Sequence, residues 1–284
     1  MQSNISVKYL DQTAGTPAII FLVTLAKIVT RYIWMVPVLI GVPGNIISIL
    51  VANRKHNRAL SPCIYMKAMA VADTVELLSQ AVGLPIMYWE EGQNVVHIRD
   101  VFFKYHVYMM LASAMLSGIF LVEMSIDRLI AVRFPMATAR LCTTSRAVKT
   151  VAITTVLVVI FNLQLPFVLV YVRDPATGTE LLMFHVPAHP ALEIFATLSQ
   201  LLLGTVIPFF VILGCNIVII ITVKRASTKR TKMNITGQGH ENRKDEQHLT
   251  RMLVFVSMAY MVTTLPYRLY HLLMDIPAIG EVYK

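Results

Sequence analysis

The sequence predicts an all-α membrane protein, a bundle of six apolar helical spans. Three observations predict it. Hydrophobic residues make up 56% of the 284 positions and charged residues 14%, against roughly 45–50% and 25% in soluble domains. The apolar residues come in blocks of about 20 or more, the length a helix needs to cross roughly 30 Å of hydrocarbon. The basic residues gather in alternate connecting segments, as the positive-inside rule requires of a multi-pass chain.

Residues 1–31 read as an outer segment. Its first part lacks the basic start and apolar stretch of a cleavable signal peptide. The apolar run 18–29 carries Lys27 and is too short to span, so it is expected to pack above the first crossing. The six spans are expected over 32–53, 62–88, 99–132, 147–171, 193–223 and 249–274, with Pro, Gly and polar clusters between them. The third is long enough to cross at a tilt and protrude inward.

Orientation follows from charge. Arg54, Lys55 and Arg58 follow the first span, and Arg133, Arg140 and Arg146 follow the third. The loop after the fifth holds Lys224, Arg225, Lys229, Arg230, Lys232, Arg243 and Lys244, against only Glu241, Asp245 and Glu246. The opposite loops carry Glu90, Glu91, Asp100, Asp174 and Glu180 against Arg99 and Arg173. The N-terminus is therefore expected outside the plasma membrane, with the basic loops in the cytosol. Topology accounts for the net charge of +9, and no nucleic-acid partner is implied.

Asn4-Ile5-Ser6 is a glycosylation acceptor on the expected outer side, whereas Asn234-Ile235-Thr236 has the same pattern in a cytosolic loop. Cys63, Cys142 and Cys215 all fall near the cytosolic face or in the inner half of a span, so no disulfide is expected outside.

Ionisable groups inside lipid cost about 2.5–3.5 kcal/mol or more at a helix centre, so each is a functional candidate. Asp73, in Met69-Ala70-Val71-Ala72-Asp73, lies about halfway along the second span with no Lys or Arg adjacent in sequence. Asn45 in the first span and Ser117 in the third would add hard oxygen donors suited to sodium. A polar cluster that only ties helices together remains the alternative. Glu123, Asp127 and Arg128 form a second group at the inner end of the third span. They read either as a solvated helix end or, with Glu246 on the sixth span pairing to Arg128, as a bistable latch. Pro208 and Pro266 each remove a hydrogen bond inside a span and bend it.

Taken together, these residues resemble the rhodopsin-like (class A) G-protein-coupled receptors. The resemblance runs in order over about 32–274. It is carried by Gly44-Asn45, Ala70-Val71-Ala72-Asp73, Asp127-Arg128-Leu129 with Pro135 seven residues after the Arg, Pro208 with Asn216, and Pro266 with Glu246 twenty residues earlier. Stretches 127–135 and 247–266 look like invertebrate neuropeptide receptors of the FMRFamide-like kind. The resemblance implies a seven-transmembrane receptor bundle of which the first six helices are present. Ten residues, 275–284, follow the sixth span as part of a third outer loop. As a helix they would reach about 15 Å, half the membrane core.

The resemblance also implies roles. Arg128 would be the activation switch, restrained at rest by Asp127 and Glu246 and turned toward a heterotrimeric G protein when active. Pro208, Asn216 and Pro266 would shape the moving spans, and Tyr260, six residues before Pro266, would stand in for the aromatic transmission residue. Asp73, Asn45 and Ser117 would form an inhibitory sodium pocket, the one ion implied. Several positions depart from the family pattern. Leu129 replaces the usual Tyr, Phe103 replaces the outer Cys, Thr264 replaces the Trp before Pro266, and the fourth-span Trp is missing. Without that Cys, the loop 173–189 would be held by its own hairpin, turning at Asp174-Pro175-Ala176-Thr177-Gly178.

Met110 stands eighteen residues before Arg128, where amine receptors carry an Asp, so an amine ligand is not expected, and the resemblance to neuropeptide receptors implies an extracellular peptide. Tyr267, Arg268 and His271 could face the ligand cavity, with Arg268 pairing a ligand carboxylate; alternatively Arg268 and His271 snorkel to the interface. Two competing readings are a six-span transporter or channel and a non-signalling receptor fragment. Against the first, the fourth span lacks spaced arginines, and no internal repeat is evident. No nucleophile–base or paired-carboxylate set suggests an enzyme.

Overall fold

The computed structural model describes residues 35–55, 57–87, 96–173, 180–184 and 190–232, together with Phe255, Met258 and Val262. Helix α1 covers Met35–Ala52, and a single 3-10 turn, Asn57–Ala59, leads to α2, Ser61–Met87. Helix α3 covers Val96–Arg133. Its 38 residues would extend about 57 Å at 1.5 Å per residue, far more than the roughly 30 Å of a bilayer core. A short α4, Pro135–Leu141, follows, then α5, Thr144–Asn162. Pro135 opens α4, where a missing N–H costs nothing. Thr143 caps α5, its hydroxyl accepting from the Arg146 amide at 3.4 Å.

The fourth span departs from its expected bounds of 147–171. Helix α5 stops at Asn162, a short α6 covers Leu165–Val168, and residues 169–171 belong to a strand. Pro166 supplies the reason. It cannot donate to a carbonyl one turn back, and its ring crowds the preceding turn. The Leu163 amide therefore bonds Ile160 O at 3.1 Å, and Phe167 restarts on Gln164 O at 3.0 Å. Beyond α6 the chain is β-branched and aromatic, Leu169-Val170-Tyr171-Val172, which suits a strand. Strand β1, Leu169–Arg173, pairs antiparallel with β2, Glu180–Phe184, in register Leu169↔Phe184 through Arg173↔Glu180. This is the hairpin expected for the outer loop. Its turn, 174–179, lies outside the described residues.

The fifth span begins as α7, Pro190–Leu201, and continues as α8, Ile207–Lys232. Between them Leu202–Val206 winds as a π-helix, and the Ile207 amide reaches back five residues to Leu202 O. Pro208 cannot donate to the carbonyl of Gly204, so the bend expected at Pro208 is expressed as a π segment just before it. Of the sixth span, Phe255, Met258 and Val262 are helical and exposed, at spacings that share one helix face.

The core sits where α2, α3, α5 and α8 meet. Tyr65, Leu121, Met124, Ala147 and Ile212 are buried together, with Met69, Val151 and Phe209 packed against them. Around it, large apolar side chains face outward: Leu39, Ile40 and Leu50 on α1, Ile153, Leu157 and Ile160 on α5, Phe210 on α8. Four of the described helical segments, over Met35–Ala52, Lys104–Arg133, Thr144–Val168 and Leu198–Arg225, are long and apolar enough to cross a membrane. Hydroxyls within them donate to carbonyls one turn back, as Ser125 does to Leu121 O at 2.8 Å and Thr222 to Val218 O at 2.8 Å. No polar hydrogen is left facing lipid by these groups.

Candidate functional site

The inner end of α3 carries the site. Asp127 is 7% exposed, and its carboxylate accepts the Ser61 hydroxyl of α2 at 2.9 Å on one oxygen and 2.8 Å on the other. The second oxygen also accepts from a terminal nitrogen of Arg128 at 3.3 Å. The Arg128 side chain is 12% exposed, and its Nε is buried without a partner among the described residues. Below them, the Cys142 thiol donates to the Asp127 carbonyl at 3.5 Å, tying the end of α4 to α3. Burial, with the Asp127 carboxylate close by, pushes the Cys142 thiol up to about 11. Asp127, Arg128, Ser61 and Cys142 thus bring α2, α3 and the link between α4 and α5 to one point.

Glu123, one turn earlier on α3, does not join this group. Its Oε1 accepts the Thr154 hydroxyl of α5 at 2.5 Å, and its Oε2 is buried without a partner among the described residues. The acidic cluster read along the third span is therefore divided between two neighbours, α2 for Asp127 and α5 for Glu123.

Of the three oxygen donors expected around sodium, Asp73 and Ser117 are joined by a side-chain hydrogen bond. Ser117 is buried, Asp73 half-buried, and Asn45 half-buried on α1. Pro208 and Asn216 lie buried on α8, Asn216 only 2% exposed. Met110 is half-buried toward the outer half of α3. Glu246, Tyr260, Pro266, Tyr267, Arg268, His271 and Asn4 lie outside the described residues.

The outer half holds a second polar node that the sequence did not single out. Asn162, fully buried at the end of α5, accepts the Gln200 amide of α7 at 2.5 Å. It donates in turn to Val158 O at 2.8 Å and to Met115 Sδ of α3 at 3.4 Å. Tyr108 of α3 adds a bond to Val159 O at 3.1 Å. An Asn inside an apolar span was the available signal, but its partner 38 residues away was not readable.

The fold is a helical bundle with helices long and apolar enough to cross a membrane, and its nearly buried ion pair sits at the C-terminal end of α3. The family described as 7 transmembrane receptor (rhodopsin family) matches residues 44–281, most of the chain. A comparison with curated proteins gives no match. The helical bundle with its buried Asp127–Arg128 pair, and a family match that takes in all of α2, α3, α5 and α8, lead to one assignment: the chain belongs to the rhodopsin family of seven-transmembrane receptors.

Proposed function

We propose that the protein is a plasma-membrane receptor, with its N-terminus outside, that binds an extracellular peptide and activates a heterotrimeric G protein. The inner ends of the third, fifth and sixth spans would make that contact. The observation that carries this reading is the Asp127–Arg128 pair: a charged pair, nearly buried, placed where the family turns its arginine toward the G protein. Among the described residues the Arg128 side chain has one polar contact, at 3.3 Å, longer than a strong charge-assisted bond. Glu246 would add the second restraint from the sixth span. Arg128→Ala should abolish agonist-stimulated nucleotide exchange, whereas Glu246→Ala should raise the basal rate. Unchanged exchange in Arg128→Ala, at normal surface expression, would sink the reading.

Met110 favours a peptide over an amine, because a thioether cannot neutralise an ammonium group. Tyr267, Arg268 and His271 are proposed to meet the ligand, with Arg268 on a carboxylate. Asp73 and Ser117, with Asn45, are proposed as an inhibitory sodium site supported by their shared hydrogen bond. Asp73→Asn should remove the sodium sensitivity of agonist binding, and sensitivity that survives would refute the site.

A further inference from the structure

Asp127 and Arg128 are consecutive residues, and consecutive side chains on a helix do not face each other. Their single contact, at 3.3 Å, is longer than the roughly 2.7–2.9 Å of a good charge-assisted bond. A different group decides where the carboxylate points. Ser61 lies within 2.9 Å of both its oxygens, and with only 3% of Ser61 and 7% of Asp127 exposed, water does not compete. Ser61 is the first residue of α2. Its proton is given to α3. Meanwhile the Arg128 Nε, a strong donor beside that carboxylate, is buried and unpaired among the described residues. The Ser61 hydroxyl occupies the acceptor capacity that a two-pronged arginine pair would use.

We propose that Ser61 is a positioning residue that competes with Arg128 for the Asp127 carboxylate and so keeps the switch weakly latched. The proposal rests on Asp127 and Arg128 being the G-protein switch. Removing the hydroxyl leaves Asp127 with Arg128 as its remaining partner. The carboxylate turns, Nε gains its acceptor, and the resting state tightens.

Two measurements on the full chain in lipid nanodiscs test this. The first is the coupling between Asp127→Asn and Arg128→Gln, read as the non-additive part of the melting-temperature shifts. It should be larger in a Ser61→Ala background than in the wild type, and return to the wild-type size in Ser61→Thr. Coupling that stays equal or falls overturns the proposal. The second is basal nucleotide exchange with a panel of purified heterotrimeric G proteins. A hydrogen bond to a charged group is worth about 1.5–3 kcal/mol, so transferring that bond to the pair should lower the basal rate about tenfold in Ser61→Ala. Ser61→Thr should restore it, and Ser61→Ala should change nothing when Asp127→Asn is also present. A raised basal rate in Ser61→Ala overturns the competition. Stronger coupling with no exchange from any variant supports the role of Ser61 and overturns the G-protein reading instead.

Discussion

Helices α1 and α3 are both apolar enough to cross a membrane, yet they occupy opposite environments. In the apolar stretch of α1, 6% of the residues are buried, against 56% in that of α3. The buried helix is the one that carries the polar groups: Ser113, Ser117, Ser125 and Asp127 all point inward from α3, while Leu39, at 72% exposed, and Ile40 point outward from α1. In water the opposite sorting would hold. In lipid, apolar side chains gain nothing by leaving the surface, and polar groups must find partners on other helices. Between these two helices, the one that carries the polar groups is the one that is buried.

The widest break in this comparison comes from truncating one leucine on each helix. Leu121, 1% exposed on α3, should lose about 2–5 kcal/mol of stability when changed to Ala. Leu39→Ala on α1 should stay within about 0.5 kcal/mol. Melting in nanodiscs checks both, and equal losses would mean that α1 packs against protein in the assembled molecule. Next in size, Ile46→Lys near the middle of α1 puts a charge on the lipid face. It should raise the insertion cost of this span by about 3 kcal/mol in a glycosylation-based insertion assay. Asn162→Ala removes the tie from α5 to α3 and α7, and should cost about 1–2 kcal/mol. Gln200→Ala should reproduce much of the same loss, and the double variant should add little to it. Smallest is Gly41→Ala at the point where α1 does approach a neighbour. The new methyl would meet the flexible end of Leu77 at 2.6 Å, so a rotamer change should absorb it within about 1 kcal/mol.

A chemical probe sharpens the contrast at the inner face. Because the Cys142 thiol is pushed up to about 11, it stays protonated and bonded to the Asp127 carbonyl at neutral pH. Its alkylation should keep accelerating as pH rises to about 11, since only the thiolate reacts. A rate that levels off near pH 9 would show that the thiol is free of this environment. Cys63 and Cys215 are buried and should label slowly throughout.

Most of the helical layout was legible. The bounds of the first, second, third and fifth apolar helices and the hairpin after the fourth follow from composition and turn chemistry, all local properties. Where the reading missed, a local break redirected the chain. Pro166 ended the fourth span early, and the residues after it form β1. A short apolar, β-branched run looks alike in sequence whether it ends a helix or begins a strand. The site was half legible. Asp127, Arg128 and Asp73 stand out because charge in a span is costly, whereas Ser61, Thr154, Gln200 and Cys142 are unremarkable in sequence.

Composition and charge pattern alone give the class of molecule, the apolar segments and the charged residues set among them. Hydrophobicity and charge act on each residue independently of the others, so they can be read one position at a time. Only the tertiary structure decided who partners whom: Asp127 with Ser61, Glu123 with Thr154, Asn162 with Gln200. Each of those bonds joins different helices, and the rotation of one helix against another is set by packing that no single segment contains.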